Sequence, residues 1–343
     1  MRVTIALAAC ALVAAAPPEP AKPLFTSADT LRLTIRGPVT AFAKGNVEAD
    51  EERDATLTVA GGETLAVRLA PRGITRLRRD VCQFPPLRVV LVQPAPANSL
   101  FAGQRKLKLV THCRAPAAFQ QHLLLEYAAY RMYNLITPAS LKARLAAIDY
   151  VGADGRPMTS RLGFFLEDPD DAARRLGLRE VQAGDRIPSA SLSAPHAARS
   201  ALFQYMIGNL DWSMRAGPVG ESCCHNYKLA GETRAPAGVL VPMPYDFDFS
   251  GLVDAPYALP PDQIQVSNVR ERRYRGYCKH NGEAFRAAGE LRALRGALLG
   301  ELDRVPGLEP GTRRKAAAFL AGFFAEIAND ATVSAKLLKT CVN

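Results

Sequence analysis

Apolar and polar side chains alternate along residues 29–70, in Leu31-Arg32-Leu33-Thr34-Ile35, Ala55-Thr56-Leu57-Thr58-Val59 and Leu65-Ala66-Val67-Arg68-Leu69. A period of two buries one face of a strand and is incompatible with the 3.6-residue repeat of a helix. Gly61-Gly62 between the second and third runs predicts a hairpin, and short strands continue at 87–92 and 106–110. The front third is therefore expected to be an antiparallel sheet. The period then changes. Residues 119–134 place Leu123, Leu124, Tyr127, Ala128 and Met132 on one helical face, with Glu126 toward its edge. Two strands are expected around the Ala153-Asp154-Gly155 turn. A short helix and a Ser/Pro-rich linker follow over 170–195, then a helix that ends just before Asp211, and helices at 282–304 and 310–328. No internal repeat is visible.

The chain has 343 residues, 48% of them hydrophobic, enough to bury a full core. It exceeds a typical domain of roughly 100 to 200 residues, so one bilobal unit or two domains both fit. Its formal charge of +10 favours anionic partners such as phosphates, acidic polymers or membrane surfaces. Nucleic acid is not expected as a partner: the basic residues are scattered, there are ten Tyr and one Trp for stacking, and no nucleic-acid module is recognisable. Residues 1–21 read as an export signal, with Arg2, an apolar run over 3–16 and a Pro-rich break. Leu7-Ala8-Ala9-Cys10 also resembles a lipobox, which would make Cys10 a lipidated membrane attachment; the alternative is ordinary cleavage near Ala15 or Ala16. Six further cysteines, at 82, 113, 223, 224, 278 and 341, suit an oxidising compartment, the periplasm or cell envelope. Their pairing is open, and the adjacent Cys223 and Cys224 are expected to pair outward, to distant segments. Zinc is not expected, because no CxxC pair exists.

The chemistry concentrates between Asn209 and Asp248. Asp211 follows a helix and opens a loop, where a base is exposed to a hydroxyl proton. Asn226 stands at the start of a strand, and Asp246 and Asp248 close the next, where alternation would give them one face. Asp and Asn oxygens are the hard ligands Mg²⁺ takes in phosphoryl-transfer sites. Asn226, Asp246 and Asp248 are the candidate ligands for Mg²⁺ or Mn²⁺, and Asp211 is the candidate base. The phosphates need cations, and Arg88, Lys106 or Lys108 could supply one while pairing with Glu126. A second basic run, Arg270, Arg272, Arg273, Arg275 and Lys279, reads as a solvated face, an anion site or a clamp on a neighbouring segment. His112, His122 and His196 read as structural.

This string resembles the spore-coat protein H (CotH) kinase family. The matching residues are Asn209 and Asp211, then His225-Asn226-Tyr227, then Pro244-Tyr245-Asp246. Upstream, Arg72-Gly73-Ile74-Thr75 resembles that family's Arg-Gly turn and residues 103–109 its Lys-rich strand. Glu126 lies in the matching helix, and residues 164–168 resemble the strand running into the hinge. The resemblance implies an α+β, bilobal protein-kinase-like fold, with a β-rich N-terminal lobe over 22–168 and a mainly helical C-terminal lobe over 169–343. It implies transfer of the ATP γ-phosphoryl group to a protein hydroxyl, with Asp211 as base and Asn226 and Asp246 on the metal. The G-x-G-x-x-G phosphate loop of kinases is missing. Two alternatives stand beside it: a catalytically silent binding or assembly protein of the envelope, and a polysaccharide-active enzyme using Asp211 and Asp246 as an acid and base pair.

Overall fold

The computed structural model describes residues 17–45 and 48–343. Residues 1–16 of the expected export signal, Cys10 among them, lie outside the described residues. The predicted front strands form as β1 (Leu31–Gly37), β2 (Arg53–Val59), β3 (Thr64–Pro71), β4 (Leu87–Leu91) and β5 (Lys106–Val110), and the Ala153-Asp154-Gly155 hairpin as β6 (Ala143–Gly152) and β7 (Pro157–Leu166). Together these seven close into a barrel in the order β1-β2-β3-β4-β5-β7-β6. Closure comes from a parallel β1–β6 seam that runs from Leu31 opposite Ala146 to Gly37 opposite Gly152. The alternation seen in the sequence fills the barrel: Leu33, Ile35, Val67, Leu69, Val89, Leu109, Ile148 and Phe165 share one buried interior.

The remaining elements are α1 (Val39–Lys44), α2 (Ala117–Ile136), α3 (Pro169–Arg175), β8 (Arg179–Glu180), α4 (Ala194–Ile207), β9 (Tyr227–Gly231), β10 (Val241–Pro244), α5 (Asn281–Gly300), α6 (Pro310–Glu326) and α7 (Asp330–Lys336). The expected bilobal, kinase-like architecture with a helical C-terminal lobe is not what forms. A closed barrel replaces the open front sheet, and the back half carries its own sheet, β10-β9-β8, and long irregular segments among its helices. Local periodicity identified the strands but held no sign of closure, because the β1–β6 seam joins residues more than a hundred positions apart.

Helix α2 lies between the two halves and is buried on nearly every side, from Leu123 to Tyr130. Tyr127 and Tyr130 pack on Phe164 of β7, at ring separations of 5.8 and 5.7 Å, while Tyr133 packs on Phe203 of α4 at 4.6 Å. Disulfides join Cys82 to Cys113 and Cys278 to Cys341, as suits an oxidising compartment. Cys223 and Cys224 are bonded to each other, not to distant segments as expected, because the other four cysteines pair among themselves. No single helix among the described residues is long and apolar enough to cross a membrane.

His112, His122 and His196, read from the sequence as structural, each contact other residues of the fold. His122 Nδ1 lies 2.7 Å from the Val253 carbonyl, and His196 Nδ1 lies 2.8 Å from Ser193 Oγ. His112 stacks on Phe84 with ring centroids 5.0 Å apart, and burial, aided by Arg161, pushes its pKa down to about 4. The imidazole is thus neutral when folded, whereas the unfolded chain takes up its proton near the ordinary value of 6.5. This contribution to stability is complete above that pH and is lost as pH falls from there toward 4, by roughly 3 kcal/mol in all. Denaturant unfolding across this range should show the loss, and His112→Phe should flatten it.

Candidate functional site

One side chain that the sequence reading passed over organises the site. β3 ends at Pro71, the chain turns at Gly73 with φ +105°, and a short helical turn then buries Arg76. Its Nη1 donates to Glu126 Oε2 at 3.2 Å and its Nη2 to Asp246 Oδ1 at 3.0 Å, while Nε lies 3.3 Å from Asp248 Oδ2. A planar fork of five donors can meet three carboxylates at once in a fixed geometry. The charges do not balance, and the acids respond unequally. Burial pushes Glu126 up to about 7 and Asp248 well above the usual carboxylate range. Asp246 feels the same burial, but Arg76 and then Arg72 pull it below its ordinary value. Asp248 lies between Arg76 and the Tyr257 hydroxyl, which donates to Oδ2 at 3.0 Å.

Helix α2 supplies two of the supports. Glu126 and Tyr130 are one turn apart and share a face. The Tyr130 hydroxyl accepts the Asp246 backbone N–H at 2.8 Å. Phe247 is buried against Tyr130 and Phe203, at 4.6 and 5.3 Å, and anchors the segment between the two acids. Strand alternation is not what orients them, contrary to expectation: β10 stops at Pro244 and Asp246 has φ +63°. Positive φ is uncommon outside glycine, with Asn and Asp the usual exceptions, and Asn226 shows it too, at +53°.

Asp211 arrives from the other side of the same cleft. α4 ends as predicted, and Gly208 caps it at φ +64°. An added Cβ there would come within 3.0 Å of Phe319, so the tight exit needs glycine. Asn209 Oδ1 then accepts the Asp211 N–H at 3.0 Å. The loop returns at 225–226 to grip the carboxylate. His225 Nε2 lies 2.7 Å from Asp211 Oδ1, and Asn226 Nδ2 donates to Oδ2 at 3.0 Å and to the Asp211 carbonyl at 2.7 Å. That hydrogen bond to Asp211 raises the His225 pKa. Asn226 Oδ1 accepts no hydrogen bond among the described residues. Asn226 is also joined to the second strand, since its carbonyl accepts the Tyr245 N–H at 3.0 Å. Asp211, His225, Asn226, Asp246, Asp248 and Arg72 all line one cleft of about 220 Å³.

Of the predicted cations, Lys108 alone adjoins this cleft. Its ammonium sits over the Tyr245 ring, 4.8 Å from the centroid, and has no carboxylate within ion-pair distance among the described residues. Burial, then Arg72 and Lys228 nearby, lower its pKa to about 8. Lys108 also lines a neighbouring cavity of about 530 Å³, with Lys106, Gln104 and Asp168. Arg88 points elsewhere and pairs with Asp50 at 2.6 Å, and neither it nor the two lysines is the partner of Glu126. Asp248 faces Arg76 and Tyr257, and its carboxylate forms with those of Glu126 and Asp246 an acidic group whose oxygens lie within 4.8 Å of one another, a set that could hold a metal ion.

Arg72, Arg76, His225, Tyr130 and Tyr257 are the residues that sequence reasoning left without a role. Arg76 stands one residue beyond the Arg-Gly turn that had been noticed, and His225 inside the His-Asn-Tyr string. Residues of the second basic run are largely tied down: Arg272 donates to the Met206 and Phe319 carbonyls, and Arg270 to Asp254. No family model matches the chain, and no curated protein matches it.

Replacing Arg76 with Met leaves the buried Glu126 and Asp248 without their counter-ion and the half-buried Asp246 with Arg72 alone, a change that costs about 3–5 kcal/mol when one partner of a buried pair is removed. Urea unfolding is expected to show that loss. Adding Glu126→Gln and Asp248→Asn to the Met variant should recover part of it.

Proposed function

We propose that the chain transfers the γ-phosphoryl group of a nucleoside triphosphate, ATP in the simplest case, to a protein hydroxyl with Mg²⁺ or Mn²⁺. The chemistry is that of the CotH kinases its motifs resemble, carried on a different architecture. The observation that supports this most is the content of one cleft. Asp211, gripped by two donors, shares it with the oxygen ligands Asn226 and Asp246 and with Arg72, and the unpaired Lys108 stands at its edge.

The donor set fits a hard divalent cation. Asp246 is held ionised, and Asn226 keeps its amide oxygen unengaged by directing its nitrogen to Asp211. When bound, the metal would neutralise charge on the phosphates. The chain's own residues do the rest. Lys108 and Arg72 attract and orient the phosphates, and each stands in surroundings that favour an added anion. The 530 Å³ cavity beside Lys108 falls in the range of roughly 300–1,000 Å³ common for small-molecule sites and has room for the nucleoside. Asp211 accepts the proton of the attacking hydroxyl. Each of its oxygens has a second lone-pair position beyond the bond to His225 or Asn226. An exported protein of the periplasm or cell envelope agrees with the export signal and with the two long-range disulfides.

Binding of a fluorescent ATP analogue, with and without Mg²⁺, tests the reading. Metal-dependent binding is expected for the wild type and should vanish in Asp246→Ala. Lys108→Met should weaken it by about 10- to 100-fold, the worth of a hydrogen bond to a charged group. Wild-type affinity should also fall as pH rises through about 8, where Lys108 loses its charge, and the Met variant should lack that dependence. A wild type that binds no triphosphate with either metal rules the reading out.

A further inference from the structure

We infer that Arg275 is a positioning residue for Asp211, an inference that rests on the phosphoryl-transfer reading of the cleft. Arg275 belongs to the second basic run, yet it is half-buried, and its guanidinium is directed at the loop that carries Asp211. Its Nη1 donates to the Leu210 carbonyl at 2.6 Å and to the Trp212 carbonyl at 2.9 Å. These carbonyls belong to the residues on either side of Asp211, so one guanidinium clamps both flanks of its backbone. The same group lies over the Trp212 ring, 4.9 Å from the centroid, and the indole N–H in turn donates to the Asn209 carbonyl at 2.9 Å.

Burial lowers the pKa of Arg275, but a guanidinium stays charged across the physiological range. A half-buried cation committed to two carbonyls and a ring is not the solvated charge that such a run ordinarily represents. Both carbonyls take the same nitrogen, Nη1. Its own footing is firm. Tyr277 pairs with Val342 beside the Cys278–Cys341 disulfide, and the Val342 N–H donates to the Gly276 carbonyl at 2.8 Å. The brace therefore runs from a cross-linked segment of the back half to the backbone of Asp211. His225 and Asn226 orient the carboxylate, and Arg275 holds the chain from which it projects. Lysine is a partial substitute: its ammonium can reach the two carbonyls that Nη1 alone serves, but it offers no planar group to lie over the indole.

The test compares wild type, Arg275→Ala and Arg275→Lys by two measurements. The first is the imidazole N–H resonance of His225, which its bond to Asp211 should shift downfield and protect from solvent exchange. That signal is expected to be lost by exchange in Arg275→Ala, to return when methylguanidinium is added, and to be weakened in Arg275→Lys. The second is turnover: kcat should fall roughly 10- to 100-fold in the Ala variant with the KM for nucleotide unchanged, as a slight misplacement of a catalytic group produces. If Arg275→Ala does not fold, the Lys variant decides by the same readings. An unchanged His225 signal and unchanged kcat in the variant would overturn the inference. A wild type without turnover would instead refute the phosphoryl-transfer reading, and the resonance would still decide whether Arg275 holds the loop.

Discussion

The guanidinium of Arg76 meets three carboxylates from two segments that are far apart in the chain, Glu126 of α2 and the Asp246 and Asp248 pair after β10. Without it, three acids would share one poorly hydrated pocket, and like charges so close cannot all stay ionised. The clamp opposes burial: burial pushes Asp248 and Glu126 up while Arg76 pulls all three acids down, and of the three Asp246 alone ends below its ordinary value. It also fixes geometry, because the turn after β3, the middle of α2 and the end of β10 all converge on one planar group. Cys82–Cys113 holds the far end of the segment carrying Arg76 to the chain just after β5.

The two halves of the molecule contribute differently. The barrel is a rigid body whose interior is filled by the inward faces of its strands, and it presents Arg72 and Arg76 on a turn at its rim. The back half delivers Asp211 from the end of α4, and Asn226 and Asp246 from the ends of β9 and β10. Helix α2 is packed against both, and so its Glu126 and Tyr130 can register one half against the other. Site residues thus sit at the ends of regular elements or in turns, where backbone groups are accessible and a rigid scaffold still fixes their place.

Cations in this protein divide by whether they have a partner. Arg76, Arg272 and Arg275 are committed to carboxylates, carbonyls and rings, and their removal would be felt mainly as lost order. Lys108 is the reverse case, a desolvated ammonium with two cations nearby and no carboxylate in ion-pair reach among the described residues. Such a group is unfavourable until an anion arrives, which makes it a better guide to ligand binding than the more numerous charges of the surface.

The strands, the long helices and the acidic residues that share the candidate cleft were legible in the sequence. Period-two runs from Leu31 to Leu69, the helix through Glu126, the helix before Asp211 and the order Asp211, Asn226, Asp246 are local patterns, set by burial of one face and by residue chemistry. Barrel closure, the choice of Arg76 over Arg88 as the partner of Glu126, and the inward turn of Asp248 were not legible. Each depends on which distant segments meet. A strand charge such as Arg88 reads the same whether it faces Asp50 outside or a cleft inside, and the alternation of β1 is the same in an open sheet and a closed barrel. Sequence alone determined which residues could do chemistry; tertiary structure decided which of them share a site, because burial and ion pairing are settled by contacts between segments far apart in the chain.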